Sequence, residues 1–143
     1  MLIDEPTIRF ADESEISLLA PQVYVTAEVL RRKIEVSELI VAISGNELRG
    51  FLQIEYLWSK VPYIALIRVL NDYRRRGIGK AMLSFLEDHL IVQGHSNLYS
   101  SSQADEPEPQ AWHRHVGFEE CGIIKEINDG IDEVFFRKTI SGR

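Results

Sequence analysis

The chain has 143 residues, of which 45% are hydrophobic and 27% charged, with a formal net charge of −6. These values suit a single soluble domain over residues 1–143 with a real core, and the acidic balance argues against a nucleic-acid or membrane-surface role. One cysteine, Cys121, excludes an intrachain disulfide or cysteine metal site, no apolar run nears ~18 residues, and the acidic start is no signal peptide, so a cytoplasmic protein is expected.

In chain order, TIRFAD reads as a short first strand. Asp12 or Ser14 can cap a helix starting near Glu13, and Pro21 interrupts it or begins a second helical segment. TAEVLRRKI continues in helical composition, and LIVAI is a buried-looking strand. SGNELRG then supplies a turn into the strand FLQIEYLW. There Leu52, Ile54, Tyr56 and Trp58 share one face, and Phe51, Gln53, Glu55 and Leu57 the other. After SKVP, the run YIALIRVL is apolar enough for a central strand covered on both sides. Beyond Gly77 the period becomes helical, through Ile78, Met82, Phe85/Leu86 and His89/Leu90, and Gly94 closes it at C′. SNLYSSS is a further strand, and DEPEPQAWHRHVGF fits a short helix with its prolines confined to the first turn. FEECGIIKEI and IDEVFFRKT flank NDG, a hairpin signal. The order β-α-α-β-β-β-α-β-α-β-β predicts an α/β (α+β) domain with a mixed sheet, and no regular doubly wound repeat.

Between the apolar strand and its helix stands RRRGIGK, residues 74–80, with four positive charges and two glycines in an acidic chain. Such a turn suits one compact anion. A dinucleotide fingerprint fails because Met82 stands where the third glycine belongs. A P-loop fails because Arg74 holds the place of its first glycine and Ala81 follows Lys80. The remainder, R-x-x-G-x-G, can bring backbone N–H groups and a helix N-terminus to an anion, or be a glycine turn with a solvated basic rim.

R-x-x-G-x-G after an apolar strand resembles motif A of the GNAT superfamily of N-acetyltransferases. The resemblance runs through IRVLNDYRRRGIGKAML and resumes at WHRHVGF, whose Gly117-Phe118 pair is similar to the end of the family's late helix. It implies a mostly antiparallel central sheet flanked by about four helices. It also implies acetyl-coenzyme A held through Arg74, Arg75, Arg76, Gly77, Ile78, Gly79 and Lys80, with backbone groups of Ile67, Arg68 and Val69 offered to the pantetheine arm. No metal is expected. The partner would be a small-molecule or protein amine, and a homodimer is among the assemblies that the resemblance allows. The chain departs from the family pattern at three places. His113 replaces a tyrosine, Glu106 an asparagine, and Pro109 a small residue.

Direct attack of an amine on a thioester needs orientation, polarisation and proton management. An alkylamine of pKa ~10.4 must lose a proton at a cost of roughly 4.6 kcal/mol at neutral pH, so a general base is expected. Glu55 is the leading candidate, on a half-polar strand face, with Glu133 and Tyr56 behind it; a solvent-facing Glu55 is the bland alternative. His113 is the candidate proton donor to the departing thiolate, against a packing role beside Trp112 and Val116. A non-catalytic acyl-coenzyme A-binding module is the competing function, and no residue in APQVYVTAEVLRRKIEV, the expected acceptor wall, identifies a substrate.

Overall fold

The computed structural model describes residues 5–70, 73, 74 and 76–141. Its strands are β1 (Thr7–Phe10), β2 (Leu39–Ser44), β3 (Glu47–Leu57), β4 (Val61–Val69), β5 (Asn97–Gln103), β6 (Glu119–Asn128) and β7 (Ile131–Thr139). Its helices are α1 (Ile16–Leu19), α2 (Ala27–Glu35), α3 (Ile78–Val92) and α4 (Pro107–His115). The strands form one sheet in the order β1-β2-β3-β4-β5-β7-β6. The pairs β1/β2, β2/β3, β5/β7 and β6/β7 are antiparallel, and β4 meets β5 in parallel with Tyr63 opposite Tyr99. This is the mixed, mostly antiparallel sheet with four helices that the sequence predicts.

The chain builds two compact units, one running to Ile54 and taking in Leu66–Leu86, the other taking in Glu55–Ala65 and everything from Glu87. In the first, Leu19 of α1 and Leu30 and Ile34 of α2 bury against Leu39, Val41 and Phe51. The opposite face of these strands receives α3, where Phe85 meets Phe10 edge-on at 5.2 Å. The alternation of β2 thus serves two cores, which is why LIVAI is apolar throughout. In the second unit, Ser100, Val134 and Phe136 are buried on one side of β5 and β7. There Lys138 Nζ donates to the buried Glu87 carboxylate at 2.6 Å.

Caps and turns follow local chemistry. Gly94 (φ +90) and Gly117 (φ +101) end α3 and α4 in left-handed backbone. In each case the next residue's N–H reaches back to the helix, His95 to Leu90 O at 3.0 Å and Phe118 to His113 O at 2.9 Å. Pro107 opens α4 at its first turn. Asp129 (φ 51) and Gly130 (φ 87) make the two-residue β6–β7 turn.

Two expectations need correction. SGNELRG is a turn only at Gly45–Asn46: Ser44 pairs with Glu47, so Glu47–Gly50 already belong to β3. Trp58 leaves the β3 face pattern, since it lies past Leu57 with φ 53 and is 80% exposed. Among the described residues no helix is long and apolar enough to cross a membrane.

Asp12, not Ser14, caps the first helical turn: its side chain accepts from Ser14 N at 2.8 Å, while Glu15 Oε1 accepts from Asp12 N at 2.8 Å. Arg9 grips the same Glu15 carboxylate with bonds of 2.8 and 3.0 Å. The Arg9 hydrogen bonds hold the Glu15 carboxyl at about 2, below its ordinary 4.5, against the opposing effect of burial. A carboxyl lowered on folding stabilises above its unfolded pKa and loses that contribution as pH falls through its folded one. Glu15→Gln should therefore cost about 1–2 kcal/mol at pH 7, the half-exposed Arg9 limiting the figure. The gap to wild type should close between about pH 4.5 and 2, as urea denaturation across that range will register.

Candidate functional site

The strand-to-helix turn is built from the side of β3. Arg49 O accepts from Leu70 N at 2.9 Å, tying the chain just beyond β4 to β3. A Cβ on Gly50 would stand 2.9 Å from Arg68 O, 3.2 Å from Met82 Cε and 3.4 Å from Ile78 Cγ2. The missing side chain lets the first turns of α3 rest on the sheet. Tyr73 lies under the Arg49 guanidinium at 4.6 Å and donates to Glu47 Oε1 at 2.5 Å, with Arg76 5.8 Å from the same ring. Beside it an open groove of about 520 Å³ is lined by Leu18, Gln22, Glu47, Leu70 and Tyr73.

Gly77 takes φ +78, a conformation strained for L side chains, and its carbonyl accepts from Ala81 N at 2.9 Å. It therefore caps α3. The amides of Ile78, Gly79 and Lys80 belong to a first turn, which has no intrahelical acceptors. Ile78 is buried as the anchor, while Arg74, Arg76 and Lys80 are exposed. Arg75 lies outside the described residues. Ile67, Arg68 and Val69 are half-buried at the end of β4, more open than a strand covered on both sides.

The second unit carries a polar chain across three strands. Tyr63 Oη and Ser101 Oγ are 2.6 Å apart, and Ser101 Oγ donates to Glu133 Oε2 at 2.6 Å. Asn128 Nδ2 donates to Glu133 Oε1 at 3.4 Å. Burial pushes the Tyr63 phenol up, the Ser101 bond opposes this, and the charges of Glu133 and Glu55 raise it further. Glu55 is half-buried on β3.

His113 is 3% exposed, on the α4 side of the sheet. Its ring stacks on Phe136 at 4.6 Å and 2°, with Phe118 and Trp112 edge-on at 5.3 Å. Nδ1 lies 2.7 Å from Pro109 O, which can only accept, so Nδ1 carries the proton and Nε2 accepts from the Ser100 hydroxyl at 2.7 Å. Burial lowers its pKa below the ordinary 6.5, outweighing the rise from Pro109 and Glu133, and Arg114 lowers it further. A neutral ring with both nitrogens engaged favours packing over proton donation.

The glycine turn and late helix now meet an independent comparison. A model of the acetyltransferase (GNAT) family matches residues 9–118. The chain belongs to that family. With it come a fold and a reaction class, acetyl transfer. The chain is similar to the ribosomal-protein-S18-alanine N-acetyltransferase from Escherichia coli, at 19% identity over 96% of this chain and 95% of that one, with a TM-score of 0.77. It is similar to Ard1 from Thermoplasma volcanium, at 16% identity, 94% and 97% coverage and a TM-score of 0.80. A Salmonella typhimurium structure solved with its cofactor acetyl-CoA is 14% identical over 96% and 95%, with a TM-score of 0.79. At these identities the structural likeness carries the fold. No curated protein matches the chain.

In this GNAT chain the expected turn residues that are described lie together at the start of α3, and Glu55 lies on β3 within electrostatic range of Tyr63. Sequence reading missed Tyr63 and Ser101 because a tyrosine in an apolar strand and a serine in SSS carry no spacing signal. Among the described residues no group of three or more His, Cys, Asp or Glu side chains is placed to hold a metal. Replacing His113 tests its packing. His113→Ala should cost about 2–4 kcal/mol through the cavity and the lost bonds to Ser100 and Pro109. A histidine kept neutral by folding makes wild-type stability fall as pH drops below about 6.5, because only the unfolded chain then takes up the proton. Denaturation of His113→Phe between pH 7.5 and 5 should show a shallower fall than wild type.

Proposed function

We propose that this GNAT-family chain transfers an acetyl group from acetyl-coenzyme A to an amine by direct attack of the amine nitrogen on the thioester. The observation that carries the reading is the α3 turn. Left-handed Gly77 presents the first-turn amides of a helix after an apolar strand, and the space where its Cβ would stand holds no atom within 4 Å. The turn from Arg74 through Arg75, Arg76, Gly77, Ile78 and Gly79 to Lys80 would hold the pyrophosphate, backbone amides orienting it and the exposed cations adding charge. The backbone of the half-buried residues Ile67, Arg68 and Val69 would meet the pantetheine arm as a strand edge meets an extended ligand. Acetyl-coenzyme A supplies the activated acyl group, and the protein orients the amine and removes its proton.

For the catalytic residues, a strand carboxylate is proposed to take the amine proton, Glu55 of β3 being the first candidate from sequence and Glu133 of β7 the one joined to Tyr63 through Ser101. The buried, neutral His113 supports a positioning role for α4 more than proton donation to the thiolate. The acceptor is proposed to be an amine on a small molecule or a protein. Residues 1–143 are read as one catalytic domain, supported by a family match that runs through both compact units. A cytoplasmic location, where acetyl-coenzyme A is available, and a homodimer complete the reading.

Calorimetry with acetyl-coenzyme A and thiol release with an amine panel test it together. Wild type should bind the cofactor and turn over at least one amine. Gly77→Val, checked for folding, should bind at least ten-fold more weakly, because a β-branched residue resists φ +78 and fills the approach. Unchanged affinity in the folded variant would remove the turn from the site. Tight binding with no turnover would leave a non-catalytic acyl-coenzyme A module.

A further inference from the structure

Tyr63 on β4, Ser101 on β5 and Glu133 on β7 stand on one face of the second unit. The register explains why. Tyr63 is opposite Tyr99, two residues from Ser101, and Ser101 is opposite Phe135, two residues from Glu133. The other face of β5 and β7 carries Ser100 and Phe136, against which His113 of α4 packs. The chain of hydroxyls therefore lies on the side away from α4.

Its direction is fixed by proton counting. Ser101 has one proton and gives it to the Glu133 carboxylate. Its oxygen must then accept from Tyr63, so the chain reads Tyr63 O–H to Ser101 O–H to carboxylate. A proton can enter only at the Tyr63 oxygen and come to rest only on Glu133. Burial and the two carboxylates hold the phenol protonated at neutral pH, so Tyr63 passes protons along instead of acting as an anionic base.

We infer that Tyr63, Ser101 and Glu133 are the proton exit of the acceptor site, that Glu133 is the terminal base, and that the acceptor arrives as a cationic amine. The inference rests on the acetyl-transfer reading above. An ammonium must lose one proton before attack and a second as the amide forms. The first moves to the Tyr63 oxygen while Tyr63 passes its own proton to Ser101 and Ser101 passes its proton to Glu133, which becomes a neutral acid. The nitrogen then forms its bond to the acyl carbon, the carbon–sulfur bond breaks, and the second proton leaves with sulfur as the thiol. Positive ammonium and negative carboxylate become neutral amide, thiol and acid, so charge balances. Tyr63 touches the substrate; Ser101 and Glu133 act through it.

The charged surroundings bear on the pH dependence. Glu55 of β3 acts on Tyr63 with the same sign as Glu133. On β6, Ile124 stands opposite Glu133, and the neighbouring Lys125 pairs with Asp132 at 3.6 Å. Through the sheet, Glu133 raises the pKa of His113 against its burial.

The test is kcat and KM against pH from 6 to 9.5 for wild type, Ser101→Ala, Ser101→Thr, Tyr63→Phe and Glu133→Gln, with folding checked by thermal melts. The acceptor is the best alkylamine of a panel that also includes aryl amines, which stay neutral across this pH range. At pH 7, Ser101→Ala, Tyr63→Phe and Glu133→Gln should each lower kcat roughly ten- to a hundred-fold with the KM for acetyl-coenzyme A unchanged. The deficit should shrink as pH rises and the alkylamine loses its own proton, and Ser101→Thr, which keeps the hydroxyl, should restore most of the rate. Profiles of Ser101→Ala and Tyr63→Phe that superimpose on wild type overturn the relay while leaving acetyl transfer standing. So does a comparable loss in Glu55→Gln beside a silent Glu133→Gln. Wild type that binds acetyl-coenzyme A and turns over no amine overturns the acetyl-transfer reading and the relay with it.

Discussion

A single missing side chain fixes the architecture around the glycine turn. The Cβ that Gly50 lacks would stand 2.9 Å from the carbonyl oxygen of Arg68, a backbone atom that cannot swing aside. Any larger residue would force β3 and the end of β4 apart or lift Ile78 and Met82 off the sheet. The first turn of α3 sits where it does because that space is backbone alone. Three consequences share this contact. Leu70 can bond to Arg49 O, Ile78 can bury, and Gly77, at positive φ, can cap α3 by accepting from Ala81 N.

Much of this was legible in the sequence because the signals were local. Strand alternation, the helical period after Gly77, Gly94 and Gly117 at helix ends and the Asp129–Gly130 turn each report the conformation of the residues that carry them. Gly50 was not legible in the same way. In SGNELRG it looks like the last residue of a turn, yet its reason for being glycine is a carbonyl eighteen positions away in sequence. Trp58 misled for a related cause: alternation says where a strand face points, not where the strand stops, and positive φ at Trp58 and Ser59 ends it.

The candidate chemistry divides along the same line. R-x-x-G-x-G is a contiguous motif whose meaning is a local backbone shape, so it survives reading without a structure. Proton handling depends on residues from separate strands, and strand register decides which of them meet. Glu133 was visible from sequence as a base candidate behind Glu55, with nothing to say what it would touch. Its link through Ser101 to Tyr63 exists because β5 lies between β4 and β7. His113 shows the converse. Its position in the motif suggested an acid, but the fold buries it against Phe136 and engages both nitrogens, an arrangement that favours packing.

A crystal structure with acetyl-coenzyme A bound tests the central claim most directly, that the α3 turn held by Gly50 is the pyrophosphate site. Pyrophosphate oxygens are expected within hydrogen-bond distance, about 2.7–3.2 Å, of backbone amides between Gly77 and Lys80, with φ of Gly77 still positive. A cofactor whose phosphates lie away from that turn, touching none of those amides, would contradict it.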